Sequence, residues 1–289
     1  MKISEDKNIM GAMNRRLDLL IELALEEDLD KNGDITSLAI FEDQNESYFL
    51  LSKDEGIFCG ADVVKKVFSK VDPNILVDLF FSDGDYIKKG DIIATITGSV
   101  SNILQGERTA INFISFLSGI ASATNEIVKS NKSKATILDT RKTLPGYRLL
   151  SKYAVLCGGA KNHRIGLYDM VMIKDNHIDA AGSISNAVKK VRDTWGNRYK
   201  IEVETRNIKE VELALDSNVD RIMLDNMDNQ TMLQAISIIQ GRCETEASGN
   251  MSIERLSSLS AIEIDYISFG SITHSVKAFD FSLRKENHL

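Results

Sequence analysis

Six short apolar runs in the second half of the chain each end in residues that can bind or move charge. Ala135 to Leu138 is followed by Asp139-Thr140-Arg141-Lys142, and Met170 to Ile173 by Lys174-Asp175-Asn176-His177. The run Lys200 to Val203 carries Glu202 and leads into Glu204 and Thr205; Arg221 to Leu224 leads into Asp225-Asn226. Cys243 to Ala247 leads into Ser248-Gly249-Asn250, and Tyr266 to Phe269 into Gly270-Ser271, with His274 close behind. One charged strand end is a solvated cap. Six in succession, ordered cation, cation, anion, anion, small, small, point to a ligand. Arg141, Lys142 and Lys174 suit carboxylates, the arginine in bidentate fashion, and His163-Arg164 add two donors. Glu204 and Asp225 suit a metal or a ribose hydroxyl. Two carboxylates are too few for a protein-only cage, but they suit Mg²⁺ that also takes phosphate oxygens and water, with direct contact not required. Ser248-Gly249 and Gly270-Ser271 stand where backbone N–H groups take a phosphate. The inferred ligands are a carboxylated molecule and a phosphorylated sugar.

Such residues converge only if the runs are parallel strands. Helical patterns lie between most of them, as at Ile184 to Trp195, Ile208 to Leu215, Met232 to Ile239 and Ile253 to Leu259. Strand–helix alternation indicates a parallel sheet with crossover helices. Six strands fall short of a full eight-stranded barrel, and no GxGxxG follows the first. The reading is therefore α/β, an incomplete parallel barrel spanning 116–289. Residues 1–115 read as a smaller α+β, sandwich-like domain. Its expected elements are a helix over Leu17 to Glu27, a turn at Asn32 to Ser37, a strand from Ser47 and a helix over Ala61 to Val71. Strands follow over Ile75 to Phe81, Tyr86 to Gly90 and Asp91 to Thr97. Asp83 to Ala94 resembles the opening of a lipoyl or biotinyl carrier sandwich, but Ile96-Thr97-Gly98-Ser99-Val100 lacks the lysine a carrier modifies. A long helix, Leu104 to Lys129 with a break at Gly119, links the halves.

The 289 residues carry a net charge of −7, which argues against a general nucleic-acid binder. From Leu138 to His177, seven cations face three acids, a net +4 that leaves −11 for the rest. A cationic island in an acidic chain suits a small anion. Cys59, Cys157 and Cys243 are odd in number and form no CxxC, so a reducing cytoplasm is expected. The acidic opening, Met1 to Arg16, reads as unlike a signal peptide, no run is long enough to span a membrane, and His288 reads as tail. Trp195 and the methionines read as packing.

Leu138 to Thr143, Tyr153-Ala154-Val155, Cys157-Gly158-Gly159, Asn162-His163-Arg164, Gly166 to Asp169 and Ile173 to His177 closely resemble the quinolinate phosphoribosyltransferase family. Leu224 to Met227, Thr273-His274-Ser275, Gly33 to Thr36 and Glu107-Arg108-Thr109-Ala110 fit as well, so the resemblance runs from about residue 15 to 283. It implies the fold already read. It also implies transfer of phosphoribose from phosphoribosyl pyrophosphate to quinolinate with loss of CO₂, using Mg²⁺ and no organic cofactor. The product is nicotinate mononucleotide, for NAD biosynthesis. It further implies a homodimer with shared sites, open to higher assembly. By this likeness Arg108, from the start of the long helix of a partner subunit, joins Thr140, Arg141, Lys142, His163, Arg164 and Lys174 around quinolinate. Glu204 and Asp225 serve the ribose and metal. Ser248, Gly249 and Gly270 cradle the 5′-phosphate, and Asn250, Phe269, Ser271 and His274 are further expected substrate-binding residues. Lys142, Lys174, Glu204 and Asp225 are the expected catalytic set.

Three positions depart from the family pattern: Asn250 replaces a glycine, Ala160 a third glycine, and Leu156 an arginine. Asn tolerates left-handed backbone, so the loop at Asn250 is expected to keep its shape. The rivals are a molybdenum-transport-linked group of the same fold, a nicotinate-using transferase, and a non-catalytic binder of anionic ligands. The intact Arg141-Lys142 and Lys174 to His177 motifs weigh against the first.

Overall fold

The computed structural model describes residues 7–285. The first six residues of the acidic opening, and His288, lie outside the described residues. In chain order the elements are α1 (Lys7–Leu29), α2 (Ile35–Ile40), β1 (Asn45–Ser52), β2 (Gly56–Ile57), α3 (Ala61–Val71), β3 (Leu76–Leu79), β4 (Tyr86–Ile87), β5 (Ile92–Ser99) and α4 (Val100–Ser130). Then come β6 (Thr136–Leu138), α5 (Arg148–Cys157), β7 (Val171–Ile173), α6 (Asp175–Ala181), α7 (Ile184–Trp195), β8 (Ile201–Thr205), α8 (Ile208–Asp216) and β9 (Arg221–Asp225). The chain closes with α9 (Asn229–Ile239), β10 (Glu244–Ser248), α10 (Ile253–Ser258), β11 (Tyr266–Ser268), α11 (Ser271–His274) and β12 (Phe281–Lys285). Among the described residues no helix is long and apolar enough to cross a membrane.

Contacts divide the chain into two compact units, and neither is continuous in sequence. The first comprises Met1–Asn125, Pro145–Gly159 and Val276–Leu289; the second comprises Glu126–Leu144 and Ala160–Ser275.

In the first unit an antiparallel sheet runs β12-β1-β5-β3, beside a β2-β4 pair. Its edge strand β12 comes from the far end of the chain and pairs with β1, Tyr48 opposite Lys285. On α1, Met13, Leu17 and Ile21 are buried at four-residue spacing, one face of a helix. Lys66 and Lys70 of α3 reach Asp18 and Glu22 of α1 at 2.9 and 2.6 Å. The segment read as a turn at Asn32 to Ser37 instead starts α2. Asp34 caps it by accepting from the backbone N–H groups of Thr36 and Ser37. Helix α4 is unbroken at Gly119, where a Cβ would stand 2.3 Å from the Lys277 carbonyl oxygen. That glycine answers a close backbone approach, not a kink.

The second unit holds a parallel sheet ordered β6-β11-β10-β9-β8-β7. Consecutive strands are neighbours, and the last lies beside the first. This is a barrel's circular order, opened between β6 and β7. At the open edge of β6, the Lys161 N–H donates to the Ile137 carbonyl at 3.0 Å. Ile201, Val203, Ile222, Leu224, Ala247 and Ile267 are buried at alternate strand positions. With α7 on β7 and α8 on β8 and β9, they form one side of the core. The crossover helices α7, α8, α9 and α10 all start at side-chain caps, Ser183, Asn207, Asp228 and Ser252. These are local stop-and-start signals. Trp195, read as packing, is 49% exposed at the end of α7, against Tyr199.

The tight approach at Gly119 gives a test. Gly119→Ala forces α4 away from the backbone at Lys277 and should lower unfolding free energy by about 1–3 kcal/mol. Gly11→Ala in α1 meets only the end of Arg15, at 3.8 Å, and should be neutral or stabilising. Urea unfolding of both variants measures the contrast.

Candidate active site

All six parallel strands end on one side of the second unit, around a cavity of about 790 Å³. The loop after β6 supplies Thr140, Arg141 and Lys142, and the next segment His163 and Arg164. Lys174 follows β7, while Glu204 and Asp225 stand at the ends of β8 and β9. Ser248, Gly249 and Asn250 follow at β10, and Gly270, Ser271 and His274 lie beyond β11.

One residue expected from this chain, Phe269, does not line the cavity. Phe269 is fully buried. It stands between Ser268 and Gly270, both lining, so the two-residue period of a strand turns its ring away. Arg108 is exposed on α4 in the first unit. It lies eight residues past the first residue of α4, so the expected position at a helix start does not hold.

The same period exposes residues the sequence reading passed over. Met172, Met223, Glu246 and Ser268 line the cavity, each two positions before an expected site residue. Counting back by two from each strand end would have found them. Asn226 and Met251 complete the rim.

Beneath the cations lies a buried charge cluster. Glu202 and Glu246, on β8 and β10, have no exposed surface. Between them, Arg221 of β9 reaches Glu246 at 3.0 Å and Glu244 at 3.1 Å, its guanidinium 3.9 Å above the Tyr266 ring. Ser268 donates to Glu246 at 2.5 Å. The Nε2 of His163 sits 3.0 Å from Glu202 and 3.3 Å from Glu246. Burial opposes charge on this ring, yet the hydrogen bonds and charges of the two carboxylates prevail and lift its pKa to about 9. Burial and the Glu246 charge push Glu202 up in turn. His163 is thus bonded to the two carboxylates while still lining the cavity. Asp139, also buried, fixes this segment by accepting from the His163 N–H and the Asn162 side chain, both at 2.8 Å.

The cations above this layer are arranged to need an anion. Burial and the nearby Arg141 charge lower the pKa of Arg164, whose Nη1 donates to the Met170 carbonyl at 3.1 Å. Arg141 Nε is buried with no hydrogen-bond partner. Of the cationic island, Arg141, Lys142, Arg164 and Lys174 line the cavity, while Lys152 is wholly buried on α5. Thr273 donates to the Lys142 carbonyl at 2.8 Å and pins that loop. Lys174 caps α6, its N–H donating to His177 Nδ1 at 3.0 Å, and its ammonium pairs with Glu204.

On the opposite side, Asn226 and Asn250 adopt φ of +53° and +44°, and Gly249 +95°. The left-handed conformation expected at Asn250 is observed. A Cβ on Gly249 would meet the Asn226 backbone nitrogen at 2.8 Å, so glycine alone fits this loop. Glu204 and Asp225 offer hard oxygen donors to one cavity. They belong to no cluster of three metal-ligating side chains among the described residues. This donor set fits a cation that takes its other ligands from substrate and water.

Residues 34–118 and 120–284 match the models for the N-terminal and C-terminal domains of quinolinate phosphoribosyl transferase. The chloroplastic nicotinate-nucleotide pyrophosphorylase (carboxylating) of Arabidopsis thaliana is 43% identical over 293 residues, covering 94% of this chain and 84% of its own length. A probable nicotinate-nucleotide pyrophosphorylase (carboxylating) of Bacillus subtilis (strain 168) is 44% identical over 252 residues, 87% of each chain. The crystal structure of NadC from Streptococcus pyogenes superposes with a TM-score of 0.90 at 40% identity, covering 93% of this chain and 95% of that one.

The His163 cluster predicts a pH dependence. A pKa raised from 6.5 to about 9 stabilises the fold fully below about pH 6.5, and this is lost as pH rises through about 9. The contribution is on the order of 3 kcal/mol. The urea midpoint should fall between pH 7 and 10, and His163→Gln should flatten that profile while lowering stability at pH 7.

Proposed function

The chain belongs to the quinolinate phosphoribosyltransferase family, and from that premise we propose how its cavity performs the reaction. The enzyme transfers phosphoribose from phosphoribosyl pyrophosphate to quinolinate with decarboxylation, for NAD biosynthesis. The observation that carries this reading is the buried, unpartnered Arg141 Nε beside Arg164, Lys142 and Lys174: a site preset for a compact dianion. Quinolinate has two adjacent carboxylates, and each charge-assisted contact is worth about 1.5–3 kcal/mol. His163, which also lines the cavity, anchors the segment that carries Arg164 to the two buried carboxylates.

Lys174 and Glu204 pair with each other in this structure. A substrate carboxylate at Lys174 competes with Glu204, freeing that carboxylate toward the ribose. Displacing pyrophosphate builds positive charge on the sugar ring, which Glu204 and Asp225 stabilise. Glu204 and Asp225 would hold Mg²⁺, which would supply charge neutralisation for the departing pyrophosphate. Backbone N–H groups at Ser248-Gly249-Asn250 and Gly270-Ser271, with His274, cradle the 5′-phosphate. Alkylation of the ring nitrogen makes an electron sink, the 2-carboxylate leaves as CO₂, and the C2 ylide left behind takes a proton from water. No organic cofactor is needed. The reducing compartment proposed is the cytoplasm, on the odd, unclustered cysteine count. Neither the molybdenum-transport-linked reading nor the non-catalytic one gains support from the relatives.

Incubation with phosphoribosyl pyrophosphate, Mg²⁺ and quinolinate should release CO₂ and nicotinate mononucleotide in equal amounts. Nicotinate in place of quinolinate should give no nucleotide. Nucleotide from nicotinate without CO₂ would overturn the assignment of substrate.

The proposed assembly is a homodimer in which Arg108 serves the partner's cavity; its exposure on α4 supports this. Inactive Arg108→Ala and Lys142→Ala chains, unfolded together and reassembled, should then recover about a quarter of normal activity. Half the dimers are mixed, and each holds one intact site. Recovery of nothing in demonstrably mixed dimers would show that Arg108 serves its own chain.

A further inference from the structure

The first unit brings together two cysteines that lie 98 positions apart in sequence, with Sγ atoms at 3.7 Å. Cys59 is fully buried just before α3, and Cys157, half-buried, ends α5. Both backbones are clamped onto α4. The Cys59 N–H donates to Ser118 Oγ at 3.0 Å. The carbonyl of Gly158, next to Cys157, accepts from Asn125 at 3.3 Å, and a Cβ on Gly158 would strike the Ala121 carbonyl at 2.5 Å. The contact is therefore set by packed backbone and does not depend on loose side chains.

Asp83 completes a group whose ligand atoms lie within 4.8 Å of one another. Its oxygens are already engaged. Oδ1 accepts from the N–H groups of Gly60 and Ala61 at 2.6 and 2.9 Å, and Oδ2 from the Tyr153 hydroxyl at 2.7 Å. A metal would have to break these bonds to gain a third ligand. The two thiols need only close by about 1.7 Å to reach disulfide bonding distance.

We infer that Cys59 and Cys157 form a reversible oxidation site that closes to an intramolecular disulfide when the chain meets a peroxide. Cys157 reacts first because it is the one that solvent reaches. Its thiolate sulfur attacks a peroxide oxygen, giving a sulfenic acid and, after protonation, water. The Cys59 sulfur then attacks the sulfenyl sulfur, the S–O bond breaks, and a second water leaves with the Cys59 proton. Two thiols thus lose two electrons and two protons to one peroxide. Burial, with Cys157 and Asp83 beside it, pushes the Cys59 thiol well up, which suits it to the resolving role and not the attacking one. The bond would lock the end of α5 six residues ahead of His163, where the chain runs on toward the cavity.

The test uses the reduced full chain, freed of reductant, exposed to hydrogen peroxide, then unfolded in guanidinium with N-ethylmaleimide present so that buried thiols are also blocked, and mapped by mass spectrometry. The reduced protein should take up three labels and the oxidised protein one, at Cys243, with a Cys59–Cys157 linked peptide that dithiothreitol abolishes. The oxidised form should melt at a higher temperature than the reduced. In Cys59→Ser the linked peptide should vanish and Cys157 should proceed to sulfinic acid. Continued labelling of Cys59 and Cys157 after oxidation, or linkage only between chains, would overturn the inference. So would stoichiometric binding of Zn²⁺ alone that shields both thiols from the label, since the pair would then be a metal site.

Discussion

Two carboxylates with no access to water, Glu202 and Glu246, set the terms for the parallel sheet. An isolated buried charge costs several kcal/mol after all relaxation, so each must be met by positive charge at close range. Arg221 on the strand between them and His163 from above do this, and Ser268 fills a remaining acceptor. The arrangement dictates where the chain after β6 can go. His163 has to come down onto the carboxylates, and Arg164, its neighbour, is thereby brought to the cavity wall. Asp139 locks the same segment from the end of β6. The layer below the site is thus polar for a reason: it positions the chain that carries the site's cations.

Above that layer the charges are left incomplete. Burial and the nearby Arg141 charge make Arg164 a less favourable cation, and Arg141 holds a buried donor with nothing to meet it. Interactions of this kind are costly until a ligand arrives, and the ligand recovers the cost as affinity. Lys174 and Glu204, by contrast, satisfy each other. They stand at the junction between the cationic and anionic sides, so the same pair separates the two ligands in space and couples their arrival. The far side is shaped by backbone: left-handed Asn226, Gly249 and Asn250 turn the loop tightly enough to present N–H groups.

The first unit shows how far the chain's fold departs from its linear order. Its sheet takes a strand from Phe281–Lys285, and α5 returns to it between two strands of the other unit. These returns explain the glycines at 119 and 158, both pressed on backbone, and the meeting of Cys59 with Cys157. The chain passes between the two units four times.

Much of the second unit was legible in the residues. Alternation of apolar runs with capped helices marks strands and crossovers, because periodicity and capping are local properties of adjacent residues. The strand-end motifs named the cavity's cations, its carboxylates and its small residues, because parallel strands of one sheet must all end on the same side. Asn250 in left-handed backbone was likewise local chemistry. What lay beyond the sequence depended on which way a side chain turns and on what lies opposite it. His163 was legible as a cavity residue, but its bonds to two carboxylates on strands 39 and 83 residues later were not. Phe269 sits among phosphate-side residues in sequence and on the other face in space. The start of α4 moved Arg108 from a helix end to a helix interior, and three scattered cysteines concealed a contact pair. Each of these was decided by long-range packing, where burial and charge pairing act between residues that no local pattern connects.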